Sequence, residues 1–261
     1  MKKRMVAYRF WLLVFAASGF LFFASCSTDD SSEPFVAQYL SNSSELSVYP
    51  TDSIRSLLDG IGGLPPEVSF LVQYGVKVLK LEYKTVSADN QSLTASGALL
   101  LPQTTNAVPL VSFQHGTITN NSDAPSSNDS EMSKIAAVIA SAGYILCLPD
   151  YIGYGSSQGV QHAYEHRQSL AVASRDMLRA GYEYLKTNSE NFHNGKLFLT
   201  GYSEGGFATM AMFKLIEENH SNEFQITAVS VGAGAYNKTA FAKYLVNTSE
   251  LQKYINSFVW V

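Results

Sequence analysis

Between Lys196 and Leu215 the chain reads KLFLTGYSEGGFATMAMFKL. An apolar strand, Leu197-Phe198-Leu199, runs into Gly-Tyr-Ser-Glu-Gly-Gly and straight out into a helix-forming stretch. No other segment restricts the fold as much, because a strand that becomes a helix across so short a turn needs small residues where the two elements touch. Gly201 and Gly205 flank the serine at those points, where a side chain would collide with the neighbouring strand or helix. The strain of such a turn presents Ser203 Oγ at the C-terminal end of a sheet. The new helix then aims its first N–H groups at negative charge developing there. A serine held in this way is the sequence form of a nucleophile elbow. An ordinary tight strand–helix connection is the alternative reading.

The rest of the chain alternates in the same manner. Val76–Val86 and Leu93–Leu101 read as strands joined by a turn at Ala88-Asp89-Asn90-Gln91, and Leu110–Phe113 and Ile145–Leu148 are short continuous apolar runs suited to buried strands. Met132–Ala142 and Gln168–Leu185 carry apolar residues at helical spacing, Glu204–Glu217 reads as the helix that follows the serine turn, and Ile226–Val231 reads as a further strand. Strands alternating with helices predict an α/β architecture, a mostly parallel central sheet flanked by helices. Ahead of this core, residues 35–75 read as a helical packing collar with a helix near Asp52–Leu58, capped by Thr51 or Asp52.

The 261 residues suffice for one domain with a substantial core. At the N-terminus a basic start precedes an apolar run, Phe10–Ala24, too short to span a membrane comfortably and ending at Phe23-Ala24-Ser25-Cys26. This resembles a bacterial lipoprotein signal peptide over residues 1–25, with Cys26 as the lipidated first residue. Residues 26–34 then form a polar acidic tether. An ordinary secretory signal with an incidental Cys26 is the alternative. The resemblance implies a bacterial cell envelope location, anchored by lipid to the outer membrane and facing its surface. Losing Lys2, Lys3, Arg4 and Arg9 from 18 basic residues leaves 14 against 22 acidic ones, a balance of −8. An acidic chain without basic clusters argues against nucleic acid as a partner. With Cys26 acylated, Cys147 has no cysteine left to pair with, and its apolar surroundings suit a small hydrophobe.

Two loops complete the chemistry. Gln114-His115-Gly116-Thr117 follows the strand Leu110–Phe113, and Gly116 lets backbone approach a developing oxyanion. The N–H of Gly116 or Thr117, with that of Glu204, supplies the two donors an oxyanion hole requires. His115 reads as a brace for this loop, and a plain turn is the other possibility. Pro149-Asp150-Tyr151-Ile152-Gly153-Tyr154-Gly155-Ser156-Ser157 follows the next strand. Asp150 precedes the serine in the chain and reads as a residue that ties down its own loop through backbone N–H groups.

The set HGT, DYIGYGSS and GYSEGG, in that order, resembles the α/β-hydrolase fold, and within it the secretory-lipase-like branch. The stretch LEYKTVSADNQSLTASGALLLP followed by PLVSFQHGT is similar to that branch's entry strands. The resemblance covers roughly residues 76–236, and 237–261 resembles the beginning of a cap or insertion. It implies a serine hydrolase acting on a small-molecule ester or lipid through a Ser203 acyl-enzyme. Gly116, Thr117 and Glu204 would donate to the oxyanion, and no metal or cofactor is implied. A serine peptidase of prolyl-oligopeptidase type shares G-x-S-x-G-G, and a non-catalytic surface lipoprotein could use the same fold for binding. The family orders its triad serine, acid, histidine. Only His220 follows Ser203, and it sits at the far end of the elbow's helix, roughly 25 Å away at ~1.5 Å per residue. His115, His162, His166 and His193 precede the serine. His162 and His166 read as loop and helix-start residues. The expectation is an N-terminal piece of a hydrolase, ending at Val261 before the triad acid and histidine.

Overall fold

Alternating side chains on the central strands divide the molecule into two apolar layers. In the computed structural model, which describes residues 35–60, 66–128, 130–188 and 193–248, β1 spans Leu40–Tyr49, β2 Val76–Val86, β3 Ser92–Pro102, β4 Val108–Gln114, β5 Ile145–Pro149, β6 His193–Tyr202 and β7 Ile226–Gly232. The helices are α1 (Thr51–Gly60), α2 (Glu131–Ser141), α3 (Arg167–Thr187), α4 (Glu204–Asn219) and α5 (Lys238–Asn247). Leu79, Leu81, Leu99, Leu101, Ile145, Cys147, Leu197 and Leu199 face the layer that α3 and α4 cover with Met177, Leu178, Ala211 and Met212. Their neighbours Val76, Val78, Ala98, Leu100, Leu146 and Leu148 face the other way, onto Ile54 and Leu58 of α1 and Ala136, Ala137 and Ala140 of α2. This is the period of two that a sheet buried on both faces requires.

Among the described residues the strands form one sheet in the order β1-β2-β3-β5-β4-β6-β7. β5, β4, β6 and β7 are mutually parallel, while β3 is antiparallel to β5, β2 to β3 and β1 to β2. Following these pairings, β2 points with the parallel set and only β1 and β3 oppose it. The sheet is therefore mixed and mostly parallel, the α/β-hydrolase arrangement that the motifs imply.

The region 35–75 differs from the helical collar expected of it. Its first element is β1, ten residues paired along β2 from Leu40↔Tyr83 to Tyr49↔Val76. The sequence LSNSSELSVY gave no strand signal because an edge strand needs only its backbone groups for the ladder, and its side chains stay largely exposed. The helix that follows starts at Thr51, and Asp52 lies within its first turn, accepting from Arg55 Nη1 at 2.9 Å. Residues 1–34, and with them Cys26 and the tether, lie outside the described residues.

Cys147 lies in the core on β5 with no exposure, and burial pushes its thiol up to about 12. It is a packing residue at any ordinary pH.

Candidate active site

The end of β6 delivers Ser203 in a conformation that few residues adopt. Its φ is +57° and its ψ −124°, a strained region for any residue with a Cβ. The surroundings hold it there. A Cβ on Gly201 would strike the carbonyl oxygen of Gly205 and lie 2.5 Å from Thr209 Oγ1, both on α4. A Cβ on Gly205 would meet the end of β4, lying 2.6 Å from both the carbonyl carbon of Gln114 and the carbonyl oxygen of His115. Strand, turn and helix are thus in contact at backbone distance on both sides of the serine. Ser203 N–H donates to the Gly232 carbonyl at 2.9 Å, and the Ser203 carbonyl accepts from Phe207 N–H at 3.2 Å, closing the first turn of α4. Among the described residues Ser203 Oγ makes no side-chain cap bond.

The loop after β4 approaches this turn closely. A Cβ on Gly116 would lie 3.6 Å from Ser203 Cβ and 3.3 Å from the Tyr202 carbonyl. The loop that carries Gly116 therefore lies against the turn that carries Ser203, and Glu204 is the first residue of α4. Thr117 Oγ1 is 3.1 Å from the Tyr164 hydroxyl, linking this loop to the approach to α3.

His115 lies buried behind the loop. Its Nδ1 is 2.7 Å from the Gly116 carbonyl and its Nε2 3.3 Å from the Asp150 carbonyl. Its ring packs on Tyr151 with centroids 4.2 Å apart, and the Tyr151 hydroxyl donates to the His115 carbonyl at 2.9 Å. Burial pushes the His115 imidazole down from its ordinary value, against the Gly116 carbonyl and the charges of Glu204 and Asp150. Neutral imidazole has one N–H, and the shorter contact assigns it to Nδ1. With both nitrogens facing carbonyls, His115 is placed to brace the loop and not to take a proton from Ser203.

Asp150 is also fully buried. The sequence reading ties it to backbone N–H groups of its own loop, but the structure joins it to two other segments. Its carboxylate accepts from Ser96 Oγ of β3 at 2.6 Å, and from Ser126 N–H and Oγ at 2.8 and 2.5 Å. The donors come from residues 54 and 24 positions away, where no local turn rule could find them. Asp150 N–H donates in turn to the Ser96 carbonyl at 2.9 Å. The residue fastens β3, the 120–130 loop and the end of β5 beneath the site.

Among the remaining histidines, His166 caps α3, its side chain accepting from Ser169 N–H. His220 lies at the end of α4, 3.0 Å from Arg175 Nη1. His162 is the one whose placement the sequence did not reveal. Its Nε2 lies 2.8 Å from Oε1 of Glu204, and its Nδ1 lies 2.8 Å from the Ile152 carbonyl. Burial alone pushes this imidazole down, but the Glu204 hydrogen bond and charge, with the Ile152 carbonyl, outweigh it and leave it raised. The partners are 42 residues apart, and no spacing in the sequence connects them.

Comparison with known proteins agrees with this fold. The model of the secretory lipase family matches residues 122–253. A putative hydrolase from Legionella pneumophila is similar in structure, with 31% identity and a TM-score of 0.68, over 77% of this chain and 53% of that one. The rice cell wall degrading esterase LipA from Xanthomonas oryzae is similar at 29% identity and a TM-score of 0.66, over 77% of this chain and 52% of its own, in a ligand-bound form. Lipase A of Candida antarctica, at 19% identity and a TM-score of 0.55 over 81% of this chain and 45% of its own, shares the fold. The chain spans about half the length of these structures. No curated protein sequence matches it significantly.

Proposed function

Since the chain belongs to the secretory lipase family, we propose that it hydrolyses carboxylic esters, of small molecules or lipids, through an acyl-enzyme on Ser203. The observation that carries this reading is the backbone of Ser203, held at φ +57° between Gly201 and Gly205 at the start of α4. A linker has no use for strain of ~1–3 kcal/mol at one residue. A nucleophile does, since the strain lifts Oγ clear of the turn.

Ser203 Oγ attacks the ester carbonyl, and the carbonyl oxygen moves into reach of the N–H groups of Glu204 and of Gly116 or Thr117. The alkoxide leaves with a proton, and water then attacks the acyl-enzyme, returning the serine and freeing the acid. A general base must take the serine proton. His115 and His162 have both ring nitrogens engaged elsewhere, so neither is placed to be that base. We further propose that Cys26 carries the lipid that fixes the chain to the outer membrane of the cell envelope. Metabolic labelling with a fatty-acid analogue, retained in wild type and lost in Cys26→Ser, tests that anchor.

A fluorophosphonate probe tests the enzyme. The full chain should be labelled at Ser203, mapped by peptide mass, and Ser203→Ala should not. A folded chain that stays unlabelled at high probe concentration would overturn the hydrolase reading in favour of a binding role. Ester against peptide turnover then decides between an esterase and a peptidase.

A further inference from the structure

The side chain of Glu204 is only 2% exposed, a costly place for a carboxylate. Among the described residues its ionic partner is His162, itself 13% exposed. The Ile152 carbonyl can only accept, so Nδ1 of His162 carries a hydrogen. The other contact, Nε2 to Oε1, then holds one further proton, shared between imidazole and carboxylate. This proton joins two elements. His162 belongs to the loop between β5 and α3, and Glu204 follows Ser203 as the first residue of α4.

We propose that His162 and Glu204 are a proton-linked pair of positioning residues, which clamp the 151–166 loop to the elbow and hold the oxyanion-donating N–H of Glu204 in place. The catalytic part of this statement rests on the reading of Ser203 as nucleophile, whereas the clamp does not. His115 of the β4 loop feels the charge of Glu204. Asp150, Tyr151 and Tyr154 come from the β5 loop, with ring centroids of the two tyrosines 6.1 and 5.1 Å from that of His162. Tyr164, 6.3 Å away, and Glu165 come from its own segment, and Glu165 pairs with Lys238 of α5. Asp123 acts on Tyr154 from the 121–123 turn. Burial keeps His115 low and the three tyrosines high, so all four are neutral around neutral pH. The proton of the pair is left as the local switch.

His162 is raised in the folded state, so the clamp is fully present below about 6.5, the ordinary value for histidine. It is lost as pH rises through the folded value. A catalytic histidine acts in the opposite sense, since its deprotonation speeds attack as pH rises. A falling alkaline limb that Glu204→Gln abolishes therefore belongs to the clamp.

The experiment compares the full chain with Glu204→Gln, an isosteric change that keeps a hydrogen bond to His162 and removes the shared proton. Imidazole NMR should show His162 titrating above 6.5 in the wild type and below it in the variant. The melting temperature of wild type should exceed that of the variant at pH 6, with the gap closing by pH 9. Labelling of Ser203 by the fluorophosphonate should fall at alkaline pH in wild type. In the variant it should be about tenfold slower near pH 6, with no alkaline fall. His162 titrating at or below 6.5 in the wild type overturns the clamp even if the variant does not fold. Equal pH profiles of labelling in the two proteins overturn its positioning role. Absent labelling at every pH, with the titration and melting results as expected, overturns the nucleophile reading and leaves the clamp supported.

Discussion

The turn at the end of β6 and the segment from β7 into α5 are held in opposite ways. Around Ser203, three backbone segments touch so closely that neither Gly201 nor Gly205 has room for a methyl group, and Glu204, Gly205 and Gly206 are all buried. In α5, by contrast, every described side chain is exposed, including Phe241, Tyr244 and Val246 at 44%, 58% and 84%. Its N-terminus is attached through Lys238, which reaches Glu165 Oε2 at 2.5 Å and lies over the Phe207 ring. A strained backbone survives only where its neighbours over-determine it. The elbow is enclosed by such neighbours whereas the described side chains of α5 are exposed, so substitutions should be costly in the first region and nearly silent in the second.

The largest effect should come from Gly205→Ala. The added Cβ meets the backbone at Gln114 and His115, which cannot rotate away as a side chain would. Overpacking against backbone should cost ~3 kcal/mol or more, seen as a melting temperature lower by roughly 6–12 °C for a chain of this length. An alanine variant that melts with wild type would show that the elbow has slack, and the comparison would fail at once.

Asp150→Asn comes next. The carboxylate accepts from three donors of β3 and the 120–130 loop. Neutralising it weakens charge-assisted bonds at a site with no water access, at about 2–3 kcal/mol. Urea unfolding measures this, and an unchanged midpoint would show that the loops beneath the site hold without it.

These two residues also mark how far the sequence could be read. Gly205 was legible because the constraint is local. An apolar strand, a turn and a helix within twenty residues already force small residues at the contacts. The same locality made β2 through β7 and the flanking helices readable from period and punctuation. Asp150 was legible as structural, but its partners Ser96 and Ser126 were not, since they meet it only through the strand order β3-β5-β4. The His162–Glu204 pair failed for the same reason. β1 failed for a different one, as its ladder is made by backbone atoms and its polar side chains record nothing of it.

Ser203→Gly measures the strain itself. Both Ser203→Gly and Ser203→Ala remove the nucleophile, and fluorophosphonate labelling should vanish in each. Alanine keeps the cost of a Cβ at φ +57° and glycine does not. Glycine also makes the unfolded chain freer, which offsets ~0.5–1 kcal/mol of the gain. Against strain of ~1–3 kcal/mol, the glycine variant should be more stable than the alanine variant by about 1 kcal/mol. The reverse order would mean that the turn is relaxed and that its conformation says little about chemistry.

Lys238→Ala should give the smallest effect, and it tests the other half of the comparison. The pair with Glu165 is short, and Glu165 is only 9% exposed, which favours a strong contact. Lys238, however, is 46% exposed, and water and salt screen a charge in that position. Ordering a long side chain against both Glu165 and Phe207 also costs rotamer entropy. The expected loss is below about 0.5 kcal/mol, and it should shrink further in 0.5 M salt. Glu165 belongs to the segment that carries His162, so a loss above about 2 kcal/mol would join α5 to the clamp. The exposed helix would then be a working part of the elbow's support, and the contrast between the two regions would disappear.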